Sequence, residues 1–333
     1  MDSMNHNLNS NLPWVELFRP KNIDEIVSND NIRETLKNYL EQGFIPHLLF
    51  HGPPGTGKTS MIRAFAKALY GDNYSMMVMD INASEERGIE VVRTKIKQFV
   101  ITKCPIYNVS KSPFKLVILD EADSMTSDAQ SMLRRVIENH TENARFCLLC
   151  NKIKNIDPAI QSRCTIFRFA PLSDIDIENK IKEIVKIKHI KTTSSGISMI
   201  IKIAKGDMRK VLNILQSTSM AYATVNESAV VNCVGYPDTS DIELLYDTLS
   251  TKKYNDAYDE FKNIKDDKGY SLLEIVTELQ SLIIQKYLDN RIDNEQFVIN
   301  TCSKLKQIEM ILIGCPNDNT QIGGIVASFI LHR

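Results

Sequence analysis

The stretch that most constrains the fold is residues 47 to 60, HLLFHGPPGTGKTS, an apolar strand that runs into a glycine-rich loop and on into the helix-like RAFAKALY. Between Gly52 and Thr59 the spacing is G-x-x-x-x-G-K-T, the pattern of a phosphate-binding loop. Gly52, Gly55 and Gly57 let the backbone wrap a phosphate without Cβ clashes, and the exposed amides with the following helix N-terminus supply partial positive charge. Lys58 is placed to neutralise β and γ phosphates. Thr59 offers a hydroxyl to Mg²⁺, which prefers hard oxygen ligands. The expected cradle for a nucleoside triphosphate is therefore Gly52, Pro53, Pro54, Gly55, Thr56, Gly57, Lys58, Thr59 and Ser60.

Around this loop, apolar runs alternate with helix-like segments, the pattern of a parallel sheet covered on both faces. The strands fall at HLLFH, MMVMDI, KLVILD, FCLLCN and TIFRFA, with helices near 58 to 70, 89 to 103 and 127 to 139 and a short turn near 156 to 161. This predicts an α/β, doubly wound nucleotide-binding domain over residues 13–172. Beyond Ser173 the strand signal disappears. Amphipathic segments such as IENKIKEIVKIK and MRKVLNILQS predict a small helical domain over 173–236. YPDTSD reads as a linker, and residues 237–333 as an all-α module that carries little chemistry. A net charge of −1 advertises neither nucleic acid nor membrane, so any DNA-binding surface must be local. Seven cysteines, an odd number, point to a reducing compartment, and Cys147-x-x-Cys150 lies in a strand that would aim its thiols at opposite faces. The polar residues 1–12 read as a disordered tail with no apolar targeting segment, which predicts a soluble intracellular protein.

A second constellation is KLVILDEAD, residues 115 to 123, where another apolar strand ends in clustered carboxylates. Asp120 at the strand tip can hold Mg²⁺ through water, and Glu121 is placed to polarise the water that attacks the γ-phosphate. Read alone, the cluster is also an acidic surface turn. Asn151 follows the strand FCLLC and would emerge at the same carboxyl edge, where ligands bind in such folds, though a turn asparagine fits the local sequence as well. Arg209 in GDMRK begins a helix of the second domain and could reach the nucleotide. Locally it reads equally as an exposed helix arginine, and Arg163 in SRC as any surface arginine.

Taken in order, PWVELFRP (13 to 20), GPPGTGKTS, NASEERGI (82 to 89), LDEAD, FCLLCN, QSRC (161 to 164) and GDMRK resemble the motifs of the AAA+ clamp loaders, and among these the small subunits of eukaryotic replication factor C. ENARFCLLCNKI with PAIQSRCTIFRFAPL looks most like the small subunit that has both an intact ATP site and an SRC arginine finger. Phe18 stands where a tyrosine is common and Glu85 where an aspartate is usual. The resemblance implies that Val15, Arg19 and Val27 line the adenine pocket and that Asn151 and Arg209 are nucleotide sensors. It implies that Arg163 acts in trans on a neighbour's ATP and that Asn82 restrains Glu121 until DNA binds. The last hundred residues would form the collar of a hetero-pentameric ring.

In IEVVRTKIKQFV, residues 89 to 100, Val92, Ile96, Phe99 and Val100 give a buried helical face, which leaves Arg93 and Lys97 together on the exposed side. Such a pair can follow a phosphate backbone without reading bases. By local sequence it is also an ordinary solvated face; the resemblance places it on DNA. Ile106 and Tyr107 in KCPIYNV read either as clamp contacts or as a loop packed on the core. The resulting expectation is an ATPase, with ATP and Mg²⁺ as cofactors, that opens a sliding clamp and loads it onto primer-template DNA in company with other loader subunits. It would act in the nucleus of a eukaryotic cell, or at a virus's site of replication in its host. The alternatives are another AAA+ DNA machine, such as a helicase loader or branch-migration motor, and a scaffold subunit that binds ATP without turnover.

Overall fold

The computed structural model of the chain describes residues 12–27, 29–85, 88–102, 114–312, 314 and 317–332. Ile106 and Tyr107 lie outside the described residues, as does the expected tail up to residue 11. Five parallel strands, β1 (Leu48–His51), β2 (Val78–Asn82), β3 (Lys115–Asp120), β4 (Ala144–Cys150) and β5 (Thr165–Arg168), form one sheet in the order β2-β3-β4-β1-β5. They lie where the apolar runs predict them.

Burial follows position in the sheet. The interior strands β3 and β4 are almost wholly buried, β3 from Lys115 to Leu119, whereas the edge strand β5 alternates between half-buried and exposed positions and the edge strand β2 is buried only at Val78 and Ile81. Alternation along the strands splits the core in two. Leu48, Phe50, Leu116, Ile118, Cys147 and Leu149 pack on one face with Met61 and Phe65 of the helix Lys58–Tyr70. Leu49, Val117, Leu119, Phe146, Leu148 and Cys150 pack on the other with Val92, Ile96, Leu133 and Ile137. Cys147 and Cys150 thus lie in different clusters. Full burial of a leucine or phenylalanine side chain contributes about 1.5–3 kcal/mol, which is why these runs fix both strand register and helix docking.

His47, just before β1, is buried with its Nδ1 accepting the Phe146 N–H at 3.2 Å, and desolvation pulls its pKa down to about 4. The helical run from 89 to 101 comprises Ile89–Val91, a π turn Val92–Ile96 and Lys97–Ile101. Val92, Ile96 and Val100 are buried, Phe99 is half-buried, and Arg93 and Lys97 are exposed. Its end is held by a buried lysine, Lys115, whose Nζ donates to the carbonyls of Phe99 (2.9 Å) and Thr102 (2.7 Å).

After β5 come the helices Asp174–Lys188, Ser194–Ala204 and Met208–Ala221. Ser173 and Thr193 cap the first two, each side chain accepting a backbone N–H of the first turn. The chain divides into two compact units, one through Ser219 and one from Met220. The second is helical, and its core includes Leu249, Phe261, Ile275, Leu279, Leu305 and Phe329. YPDTSD is structured rather than a free linker. Tyr236 is buried with its hydroxyl donating to Glu278 at 2.7 Å, and the helix Thr239–Thr251 begins within the stretch. Among the described residues no helix is long and apolar enough to cross a membrane.

Candidate active site

The loop after β1 can follow its path only because it is rich in glycine. A Cβ on Gly52 (φ 151°) would stand 2.2 Å from the Phe169 carbonyl oxygen, and one on Gly55 (φ 71°) 1.7 Å from Asp207 Oδ1. The loop is therefore packed between the exit of β5 and the start of the helix Met208–Ala221, whose Met208 N–H donates to Gly55 O at 3.3 Å. Asp207 Oδ1 accepts the Arg209 N–H at 2.9 Å and so holds the first turn of that helix.

Lys58 is 8% exposed, and its Nζ donates to Gly52 O (2.8 Å), Pro53 O (2.8 Å) and Asn151 Oδ1 (3.0 Å). Burial pulls its ammonium below the ordinary lysine range, with nearby Asp120 opposing that shift and Arg209 adding to it. Thr59 Oγ1 donates to Asp120 Oδ2 at 2.8 Å, and Asp120 Oδ1 accepts the Glu121 N–H at 3.0 Å. Glu121 adopts the left-handed region (φ 53°), a strained choice for a residue with a side chain, typically costing about 1 kcal/mol. Its carbonyl is held there by the Ser124 N–H (2.9 Å) and hydroxyl (2.8 Å), which leaves the carboxylate exposed at the rim. Asp123 Oδ2 accepts the N–H groups of Asn151 (3.3 Å) and Lys152 (3.0 Å), joining the ends of β3 and β4.

One pocket takes in Val15, Arg19, Val27, Pro54 to Ser60, Asp120, Glu121, Asn151 and Arg209. Sequence reasoning missed Phe18, Ile26, Lys180, Met208 and Leu212, which also line it. Gly52 and Pro53 lie behind it as acceptors for Lys58. Asn82 ends β2 in register with Asp120, and its side chain accepts from the Ser84 N–H (3.0 Å) and hydroxyl (2.9 Å) and donates to Glu85 (3.3 Å) rather than to Glu121. Arg163 does not line the pocket; it donates to Ala159 O (2.6 Å) and pairs with Glu138 (2.5 Å). Arg93 pairs with Glu90 at 2.9 Å on the exposed helix face.

A parallel sheet with a lysine-bearing phosphate loop, a strand-tip aspartate bonded to the loop threonine, and a helical segment closing over them defines an ATPase of the AAA class. Residues 48–172 match the family model "ATPase family associated with various cellular activities (AAA)", and residues 237–328 match "Replication factor C C-terminal domain". The chain is 46% identical to the probable replication factor C subunit 5 of Dictyostelium discoideum, across 97% of this chain and 91% of that one. It is 41% identical to replication factor C subunit 5 of Homo sapiens (97% and 93% covered) and 40% identical to replication factor C subunit 3 of Schizosaccharomyces pombe (96% and 91%). The chain belongs to the replication factor C subunit family.

Among solved structures it is similar to the Thermotoga maritima RuvB Holliday junction branch migration motor, at TM-score 0.52 and 16% identity over 77% of this chain and 88% of that one. That likeness is one of fold. The subunit is an ATP-binding ATPase that functions in a complex with other replication factor C subunits, and its kinship with them is consistent with clamp loading in DNA replication.

Proposed function

We propose that this subunit binds ATP with Mg²⁺ in the pocket, hydrolyses it when a neighbour completes the site, and spends the cycle on opening a sliding clamp and loading it onto primer-template DNA. The observation that carries the reading is the pair of hydrogen bonds Thr59–Asp120 (2.8 Å) and Lys58–Asn151 (3.0 Å), which gathers four polar groups at the carboxyl ends of β1, β3 and β4. The donor set fits Mg²⁺, since the Thr59 hydroxyl and the Asp120 carboxylate are hard oxygens held one hydrogen bond apart. Once bound, the ion neutralises phosphate charge. Lys58 then exchanges loop carbonyls for β and γ phosphate oxygens, and Glu121 accepts a proton from the attacking water. Asn151 and Arg209 read the γ-phosphate. The base lies against Val15, Arg19 and Val27.

Asn82 acts as the restraint on Glu121, giving up Ser84 and Glu85 to take the carboxylate until DNA binds. Their proximity supports this: Asn82 pairs in register with Asp120, one residue before Glu121. Arg93 and Lys97 follow the DNA backbone, and Ile106 and Tyr107 touch the clamp. The chain reads as a nucleotide-binding domain (13–172), a helical lid (173–236) and a collar (237–333) in a hetero-pentamer, at work in the nucleus of a eukaryotic cell or at a virus's replication site in its host.

Arg163 is the neighbour's finger, a reading supported by its place outside this chain's own pocket. Arginine fingers supply about 10³ to 10⁵ in rate. In rings reconstituted with Arg163→Ala only in this subunit, primer- and clamp-stimulated hydrolysis should fall at the adjoining site while this chain's own ATP affinity holds. A loss confined to this chain's own site would mean that Arg163 acts in cis and that the ring model is wrong.

A further inference from the structure

The base end of the pocket is walled by a segment that is pinned by residues outside the phosphate loop. Trp14–Leu17 is a single helical turn followed by Phe18, Arg19 and Pro20, and Val15, Phe18, Arg19 and Pro20 line the pocket. One turn of helix is unstable by itself, so its position depends on what pins it. Gln216 Oε1 accepts the Trp14 backbone N–H at 3.0 Å, a group at the start of the turn with no acceptor inside it. Lys188 Nζ stands 5.8 Å from the ring centroids of both Trp14 and Phe18, which meet edge to face at 6.1 Å.

The helices that provide these pins also reach the pocket. Met208–Ala221 presents Arg209 and Leu212 to it and carries Gln216 on the same face, at spacings of three and four residues. Asp174–Lys188 presents Lys180 and ends in Lys188. A shift of Met208–Ala221 would move Gln216, which holds the Trp14 N–H, and the polar reader Arg209 together.

We infer that Gln216 and Lys188, neither of which lines the pocket, are positioning residues for the nucleotide: they fix the Trp14–Pro20 wall and so set the affinity for the base. The inference rests on reading this pocket as the nucleotide site. Because the wall meets the part that ATP and ADP share, Gln216→Leu should weaken both nucleotides alike, by about tenfold, the effect of losing one partly buried hydrogen bond. Gln216→Glu, which keeps an acceptor for the Trp14 N–H, should restore binding. Lys188→Met should shift both affinities in the same direction by about threefold, and it carries the test if Gln216→Leu fails to fold.

Trp14 is the only tryptophan of the chain, so its emission reports the wall directly in the full-length protein. In Gln216→Leu the emission should move to the red without nucleotide and return at saturating ADP. Wild-type affinity and emission in both variants, or a loss of ATP affinity that spares ADP, would overturn the inference. Lys58→Ala, titrated alongside, separates the two levels: if it binds nucleotide normally, the pocket reading itself fails.

Discussion

At the phosphate end of the pocket, Lys58 and Thr59 at the start of the helix Lys58–Tyr70 are tied by hydrogen bonds of 3.0 and 2.8 Å to Asn151 and Asp120, which stand at the ends of strands of a buried sheet. At the base end, Val15, Ile26, Leu172 and Leu212 come from separate segments and line the pocket with apolar surface. The contrast reflects what each end must do. Phosphoryl transfer in a partly desolvated site needs fixed dipoles and suffers from small displacements. A purine needs only apolar area and shape, which tolerate small rearrangements. The phosphate end should therefore respond to substitution steeply, and the base end gently.

Lys58→Ala sits at the steep extreme. It removes a desolvated charge together with the hydrogen bonds it donates to Gly52 O, Pro53 O and Asn151 Oδ1, of which Pro53 O keeps the Thr56 hydroxyl as a donor. Calorimetric ATP affinity should fall by about two to three orders of magnitude, and a loss of only a few-fold would erase the distinction between the two ends.

The opposite end of β1 gives the fold a dependence on pH. There buried His47 has its pKa lowered from 6.5 to about 4 by desolvation, so the unfolded chain binds the extra proton between those values. Stability from this group is complete above pH 6.5 and is lost as pH falls towards 4, a change of about 3 kcal/mol. Denaturant midpoints across that window should drop with acid in the wild type and drop less in His47→Gln. Equal slopes would remove His47 from the account.

Arg93 and Lys97 belong to neither end. The double change to alanine should leave ATP affinity alone, weaken DNA binding on every sequence tested, and reduce the log–log salt slope by about two, roughly one for each phosphate contact. A sequence-selective loss would contradict backbone tracking. Val15→Ala is the gentlest change, with ATP and ADP affinity falling together by about three- to tenfold and turnover of the bound ATP unchanged. If kcat fell as well, the base end would be taking part in the chemistry.

The same contrast explains what the sequence disclosed. GPPGTGKT and the carboxylates after KLVILD are contiguous, and each residue type has a local reason to be there, so the phosphate end and all five strands could be read directly. Lys180, Met208 and Leu212 enter the pocket through the docking of helices that have no chemical signature of their own. The same holds for Asp123, which looks like one more acidic residue until it is seen accepting two backbone N–H groups across β3 and β4. YPDTSD has the composition of a linker, and only tertiary packing shows Tyr236 buried against Glu278. Val15, Arg19 and Val27 came to notice through resemblance, not through any property of the residues themselves.

The central claim is that the pocket does not merely hold ATP but hydrolyses it with Glu121. Glutamine is nearly isosteric with glutamate and meets the same left-handed backbone at that position, so Glu121→Gln should leave the Asp120–Thr59 bond and the lysine cradle intact. In the assembled ring, with the other sites made inactive, the variant should bind ATP with wild-type affinity while turnover falls by about 10² to 10⁴. Turnover at the wild-type rate with ATP bound would contradict the claim and leave this chain a nucleotide-holding scaffold.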